Sequence, residues 1–268
     1  MSALHIESQG QGPVLLLLHG WAMHGGIFAP LVEALAGRFT VLTVDLPGHG
    51  HSRASTLPLV AETLADVLAA QLEAREPEAP AAARALVAGW SLGGLVALAL
   101  AARHPQRVRG LVMLAASPRF VAAADWPMGM DPEVFASFGA DLDRDLPGTL
   151  DRFLMLGAQG SARSREALHF LRGAVHDRGR PTPEALHAGL ALLRSADLRP
   201  CLPGLAVPSL WIAGRRDRLV GSQAVQTAAA LVPDSRLVMF ERAGHAPFLT
   251  EPAAVAEAIT VFAADCPP

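Results

Sequence analysis

The chain lacks several features that mark membrane, secreted or nucleic-acid-binding proteins. It contains no lysine and no tyrosine, so all 22 basic residues are arginine, which we interpret as codon bias. Its net charge of −3 gives no general basis for binding nucleic acid. No apolar run approaches the roughly 18 residues that a transmembrane helix needs, and the polar start lacks the apolar core of a signal peptide. We therefore expect a cytoplasmic protein that binds neither membranes nor nucleic acid.

Cysteine is also scarce. Cys201 and Cys266 form neither a disulfide framework nor a metal-binding spacing. The chain has 10 histidines, and His49-Gly50-His51 is the pair most like a metal motif, but no further ligands follow it closely. The stretch Asp45–Ser52 is more typical of a glycine-rich turn after a strand. We predict no metal centre and no cofactor.

What the chain does have is an alternation of short apolar runs and helical patterns. It is 268 residues long, with 51% hydrophobic and 18% charged residues. Such an alternation predicts a mostly parallel sheet with helices on both faces, and uniformly apolar runs are typical of strands buried on both sides. The predicted strands are Val14–Leu18, Val41–Val44, Ala85–Ala88, Leu111–Leu114, Ser209–Ala213 and Leu237–Phe240. The predicted helices are Ile27–Ala36, Leu59–Glu73, Leu92–His104, Ser222–Leu231 and Ala253–Phe262.

The most informative motif is Gly89-Trp90-Ser91-Leu92-Gly93, which joins a predicted strand to a predicted helix. A Gly-x-Ser-x-Gly sequence at such a junction indicates a sharp turn that exposes a nucleophilic serine. Glycines at both flanks avoid collisions in this tight turn. We therefore predict that Ser91 is a catalytic nucleophile.

A serine hydroxyl needs a base to accept its proton, and a third group must orient that base. In hydrolases with this turn the chain order is serine, acid, histidine. Asp217 follows the predicted strand Ser209–Ala213, and His245 follows the next predicted strand. Because the carboxyl ends of parallel strands meet at one sheet edge, we predict a triad of Ser91, Asp217 and His245. Taken singly, Asp217 also fits a turn or cap residue, and His245 a loop histidine without a role.

The triad also needs donors for the oxyanion. One donor is expected from the backbone N–H of Leu92, which follows the nucleophile. We assign the second to the backbone N–H of Trp21, where Gly20 permits a close approach, and we expect the Trp21 ring to line the acyl pocket. Two such donors supply on the order of 3 kcal/mol each to the transition state.

The regular pattern breaks between about Arg119 and Pro200, where helical patterns dominate. We predict an α/β core of residues 1–118 and 201–268, with a helical cap of residues 119–200 inserted after the strand that follows the serine turn. The stretch Glu76–Ala83, which has two prolines, is expected to be a surface connection.

Together these segments resemble the α/β-hydrolase superfamily, which implies an α/β-hydrolase fold. The stretches that carry the resemblance are Leu17–Trp21, Asp45–Gly50, Gly89–Gly93, Gly214–Asp217 and Gly244–Phe248. Further details resemble the pimeloyl-[acyl-carrier protein] methyl ester carboxylesterases of biotin synthesis. These details are His19–Trp21, Gly89–Val96, Ala116–Pro118, Asp125–Pro127, Arg152–Leu154 and His245–Phe248.

The resemblance implies that Ser91 attacks the methyl ester of a pimeloyl chain on acyl-carrier protein. Methanol leaves, and water then releases the acid, with His245 acting as base and then as acid. The substrate-binding residues that it implies are Trp21, Ser91, Leu92, Phe153, Leu154, Met155, Leu156, Gly157 and His245.

Arginines of the predicted cap point to a carrier-protein contact. The candidates are Arg152, Arg163, Arg165 and Arg172. Arg165 and Arg172 share one helix face with His169, and an arginine face suits phosphopantetheine and an acidic carrier surface. An ordinary solvated helix face fits the same pattern. The family has a further arginine where this chain has Pro147-Gly148, so the contact is expected to differ.

Other functions share much of this pattern. A general carboxylesterase on free short-chain esters would use the same chemistry, as would perhydrolases and carbon–carbon bond hydrolases. A ligand-binding receptor derived from a hydrolase is a further alternative, although the complete triad argues against it. A haloalkane dehalogenase is disfavoured because its nucleophile at this turn is an aspartate. We expect a monomer.

Overall fold

The computed structural model describes residues 4–75 and 84–267, and within these ranges a sheet of seven strands forms the centre of the protein. The strands are β1 (Ile6–Gln9), β2 (Val14–Leu18), β3 (Thr40–Val44), β4 (Ala85–Trp90), β5 (Val108–Leu114), β6 (Ser209–Gly214) and β7 (Ser235–Phe240). Their order across the sheet is β1-β3-β2-β4-β5-β6-β7. Neighbouring strands are parallel except for β1, which pairs antiparallel with β3.

All six predicted strands are present, which confirms the mostly parallel sheet. Every residue of β4 and β6 is buried, which explains why these strands appear in the sequence as continuous apolar runs. The strand β1 was not predicted. Its four residues lie at the sheet edge and three of them are exposed, so they form no apolar run.

Ten α-helices accompany the sheet in the described part of the chain. They are α1 (Ala29–Leu35), α2 (Ala61–Glu73), α3 (Leu92–Arg103), α4 (Pro132–Arg144), α5 (Leu146–Ala158), α6 (Ser164–Asp177), α7 (Pro183–Ser195), α8 (Ser222–Ala230), α9 (Pro247–Thr250) and α10 (Pro252–Asp265). The prediction that the first helix begins at Ile27 was wrong, because Gly25–Phe28 forms a 3₁₀ turn and Pro30 lies in the first turn of α1. The predicted surface connection at Glu76–Ala83 lies outside the described residues.

The helices pack in groups. Helix α2 packs against α3, while α1 packs against α9 and α10. In the chain, helices α4–α7 are inserted between the strands β5 and β6, and we call them the helical cap. Within the cap, α5 contacts α4 and α6, and α7 reaches the core at α3. None of the described helices has the length and apolar character to span a membrane.

Candidate active site

Ser91 lies in a strained turn between β4 and α3. Its backbone angles are φ +53° and ψ −119°, in a region that residues other than glycine rarely adopt. Its N–H donates to the Leu114 carbonyl at 3.0 Å. A Cβ on Gly89 would collide with the Gly93 carbonyl, and one on Gly93 with the Leu18 carbonyl. Backbone packing therefore requires both glycines of the motif.

Backbone strain is concentrated at this edge of the sheet. Among the described residues, only Ala22, Ser91 and Ala115 have a positive φ without being glycine, at 64°, 53° and 43°. They follow β2, β4 and β5, which are adjacent strands. Strain of this kind tends to persist at functional sites.

Asp217 and His245 form a buried pair. The Asp217 Oδ2 atom lies 2.8 Å from His245 Nδ1, and each side chain is 1% exposed. The other oxygen, Oδ1, accepts hydrogen bonds from the backbone N–H groups of Leu219 at 2.8 Å and Val220 at 3.0 Å. An ionised carboxylate only accepts hydrogen bonds. The proton of neutral His245 is therefore assigned to Nδ1, which leaves Nε2 as a free base.

The Nε2 atom of His245 is buried and has no hydrogen-bond partner within the described ranges. The hydroxyl of Ser91 therefore makes no hydrogen bond to it in this structure. Catalytic hydrogen bonds are often long before substrate binds. The acid–histidine half of the predicted triad is formed here, and the catalytic roles of all three residues remain predictions.

Trp90 connects the serine turn to the histidine loop, which sequence reasoning missed. Its indole Nε1 donates to the His245 carbonyl at 2.8 Å. Its ring lies 5.5 Å from the His245 ring and 5.2 Å from that of Phe248, between centroids. The motif leaves the residue before the serine unspecified, so no sequence signal indicated this contact.

The predicted oxyanion donors are available. The backbone N–H groups of Trp21 and Leu92 donate to no other residue in the described part of the chain. The loop that carries Trp21 is held by His19, whose Nδ1 lies 2.8 Å from the Gly20 carbonyl and whose Nε2 accepts from Leu46 N–H at 2.9 Å. Burial lowers the pKa of His19 to about 3, so the ring is neutral as these bonds require.

The Trp21 side chain lies under the helical cap. Its indole Nε1 donates to the Leu186 carbonyl of α7 at 2.9 Å, and its ring packs edge-to-face on Phe153 at 4.7 Å. A Cβ on Gly189 would lie 2.5 Å from the indole Cδ1. Glycine at this position lets α7 approach Trp21 closely. Phe153 thus lies beside the predicted oxyanion loop.

The predicted substrate-binding segment Phe153–Gly157 lies on α5, and its residues do not share a face. Leu154 and Gly157 are buried, whereas Met155 is 37% exposed. Met155 and Leu156 line a groove of about 320 Å³ that also borders Phe138 and Arg152. Substrate contacts along this segment remain predictions.

The predicted carrier-protein arginines are exposed but mostly paired. Three of them make ion pairs within the cap: Arg152 with Asp141 at 3.0 Å, Arg163 with Glu166 at 3.8 Å, and Arg172 with Asp151 at 2.7 Å. Arg165 is exposed and makes no ion pair with another described residue.

The comparison with known families identifies the class of protein to which this fold belongs. The chain belongs to the α/β-hydrolase family, because the family model described as alpha/beta hydrolase fold matches residues 13–252. This result confirms the predicted fold class.

Curated relatives match the chain over nearly its whole length. It is 52% identical to a pimeloyl-[acyl-carrier protein] methyl ester esterase of Stenotrophomonas maltophilia (strain K279a), over 99% of this chain and 98% of that protein. It is 50% identical to a protein of the same name from Xanthomonas oryzae pv. oryzae (strain MAFF 311018), over 98% and 100%. Among solved structures, an esterase from Exiguobacterium antarcticum has a TM-score of 0.87 at 23% identity, over 98% of this chain and 96% of that one.

Proposed function

We propose that this protein hydrolyses the methyl ester of a pimeloyl chain carried on an acyl-carrier protein, in biotin synthesis. The observation that carries the chemistry is the buried Asp217–His245 pair at the edge of the sheet that bears the strained Ser91. The substrate is supported by the relatives of this name, whose similarity extends through the helical cap.

The reaction proceeds in two halves. The Ser91 hydroxyl loses its proton to His245 Nε2 as its oxygen bonds to the ester carbonyl carbon. The backbone N–H groups of Trp21 and Leu92 stabilise the oxyanion. When the carbon–oxygen bond to the methoxy group breaks, His245 returns the proton and methanol leaves. A water molecule, deprotonated by His245, then cleaves the acyl-enzyme and releases the pimeloyl carboxylate, while the proton returns to Ser91.

The other site residues orient the base or contact the substrate. Asp217 keeps the Nδ1 proton in place and stabilises the imidazolium. Substrate contacts are assigned to the Trp21 ring and to the segment Phe153–Gly157. No step needs a cofactor. We retain residues 119–200 as the cap domain and residues 1–118 and 201–268 as the core.

The carrier protein is proposed to dock on the arginines of the cap. Arg165 is the strongest candidate because it is exposed and makes no ion pair within the described residues. The other three arginines can bind the carrier only if they release the acidic residues with which they now pair. They are Arg152, Arg163 and Arg172. We expect a monomer, since one chain supplies every residue of the site. We expect a cytoplasmic location, because the protein would encounter its carrier-bound substrate there.

These ion pairs also favour a second candidate function. A cap in which three of the four candidate arginines are paired with its own acids has less need of an acidic partner, and that fits a general carboxylesterase acting on free short-chain esters. The chemistry is the same, so the substrate alone separates the two.

The deciding experiment compares pimeloyl-acyl-carrier-protein methyl ester with free methyl butyrate, using wild type and Ser91→Ala. A much higher kcat/KM on the carrier-bound ester, abolished in Ser91→Ala, is the expected result. Comparable turnover of the free ester would favour the general carboxylesterase. Retained hydrolysis in a folded Ser91→Ala variant would refute the mechanism itself.

A further inference from the structure

Three side chains at the β1 edge of the sheet converge outside the candidate active site. They are His5, Glu7 and His51, and one ligand atom from each lies within 4.8 Å of the other two. The Glu7 Oε1 atom is 3.4 Å from His5 Nε2 and 4.0 Å from His51 Nε2. All three side chains are 38–52% exposed, so an ion from solvent can reach them.

The backbone that carries the two histidines is anchored to the turn after β3. The N–H of His5 donates to Ser52 Oγ at 2.8 Å, and its carbonyl accepts from the N–H of Asp45 at 3.0 Å. The N–H of His51 donates to Asp45 Oδ2 at 2.7 Å. Asp45 is fully buried. These bonds fix the backbone positions from which the two imidazoles extend before any ligand arrives.

Glu7 is oriented by a neighbour as well. Its Oε2 atom accepts a hydrogen bond from Arg178 Nη2 at 2.6 Å, which leaves Oε1 directed to the histidines. Carboxylates that bind metals are commonly fixed in this way by an outer hydrogen bond. The Arg178 guanidinium also repels a cation, which lowers the affinity of such a site.

We propose that His5, Glu7 and His51 form a binding site for one divalent transition-metal ion of the zinc class. Imidazole and carboxylate donors suit Zn²⁺, and bonds of 2.0–2.2 Å in a tetrahedron place ligand atoms roughly 3.3–3.5 Å apart. The His5–Glu7 distance already matches this spacing, and the widest separation has to contract by about 1.5 Å or less. Side chains this exposed can make such a movement by rotation about their own torsions.

None of these three residues is assigned a role in the ester chemistry. The sequence prediction of no metal centre relied on the absence of ligands close to His49 and His51. The missing partners are Glu7, which lies on the strand β1, and His5, which precedes that strand. The sequence did not predict β1. A bound ion would link β1 to the turn after β3 and so stabilise the folded chain.

The test is a calorimetric titration of chelator-treated protein without an affinity tag, using ZnCl₂, with Co²⁺ absorption as a second readout. We expect one saturable ion per chain. His5→Gln and His51→Gln should each weaken binding at least about tenfold. His187→Gln is the matched control, since His187 lies 3.1 Å from the single carboxylate of Asp143 and should leave the affinity unchanged.

A zinc concentration about a hundredfold above Kd should also raise Tm by about 5 °C or more in wild type. That rise should disappear in His5→Gln. The absence of saturable binding would overturn the proposal. Equal affinity in wild type and in the His5→Gln/His51→Gln double variant, or an equal loss in His187→Gln, would overturn it too.

Discussion

Asp217→Asn tests whether Asp217 sets the tautomer of His245. The carboxylate accepts two backbone hydrogen bonds at Oδ1 and one from the imidazole at Oδ2. An asparagine has only one acceptor oxygen. If that oxygen keeps the two backbone N–H groups, the amide NH₂ faces Nδ1 and makes it an acceptor. The imidazole proton then moves to Nε2, and the base can no longer accept the serine proton.

The size of the effect follows from the alternative orientation. Turning the amide over would restore the bond to the imidazole but place the NH₂ against two buried backbone N–H donors. Each unsatisfied donor costs about 1–3 kcal/mol, so the wrong tautomer is favoured by about 2–6 kcal/mol. Since about 1.4 kcal/mol is a factor of ten, the inactive form dominates. A fall in kcat of about 10³- to 10⁴-fold is expected, as in other serine hydrolases.

The assay is steady-state hydrolysis of a free ester by folded Asp217→Asn, with KM measured separately from kcat. The matched control is Asp234→Asn, the same change at an exposed loop aspartate, which should leave kcat unaltered. If Asp217→Asn kept more than a tenth of the wild-type kcat, the assignment of Asp217 as the orienting acid would be wrong.

Three further predictions concern buried contacts. Gly189→Ala places a Cβ against the Trp21 indole, so the free energy of unfolding, measured with urea, should fall by about 1–3 kcal/mol. The kcat/KM for ester hydrolysis should fall as well. Trp90→Phe removes the bond to the His245 carbonyl, and kinetics should show a lower kcat with little change in KM. Burial lowers the pKa of His49 to about 4 from 6.5. Between these values the unfolded chain binds more protons, so stability should fall on acidification by up to about 1.4 kcal/mol per pH unit.

Each of these predictions has a control or an outcome that would contradict it. Gly173→Ala adds the same methyl group inside α6, where nothing lies within 4 Å, and should raise stability by about 0.5–1 kcal/mol. A loss there equal to that of Gly189→Ala would contradict the steric argument. If Trp90→Phe kept the wild-type kcat, the proposed contribution of Trp90 to positioning His245 would be wrong. His49→Gln should reduce the pH dependence of urea unfolding without removing it, because burial also lowers the pKa of His19. An unchanged slope would contradict the contribution of His49.

The placement of the candidate triad was predictable because parallel sheets impose a simple rule. Each core strand appears in the sequence as an apolar run, and its following loop must lie at the carboxyl edge of the sheet. Asp217 and His245 could therefore be paired from chain order alone, and the structure brings their side chains to 2.8 Å. The serine turn was predictable for a different reason, since Gly89 and Gly93 are required by backbone collisions within a few residues.

The contacts that refine the site were not predictable, because each depends on where separate elements meet. Trp90 reaches a carbonyl 155 residues along the chain, and Trp21 reaches one 165 residues away. Gly189 has the sequence appearance of a weak position in a helix, yet its missing side chain is what admits the Trp21 ring. Trp21 and Gly189 are fixed by packing between the cap and the core, and Trp90 is fixed by packing within the core. Substitutions of Trp21 and Gly189 should therefore change how substrate is held before they change the proton transfer, whereas substitutions of Trp90 and Asp217 should do the reverse.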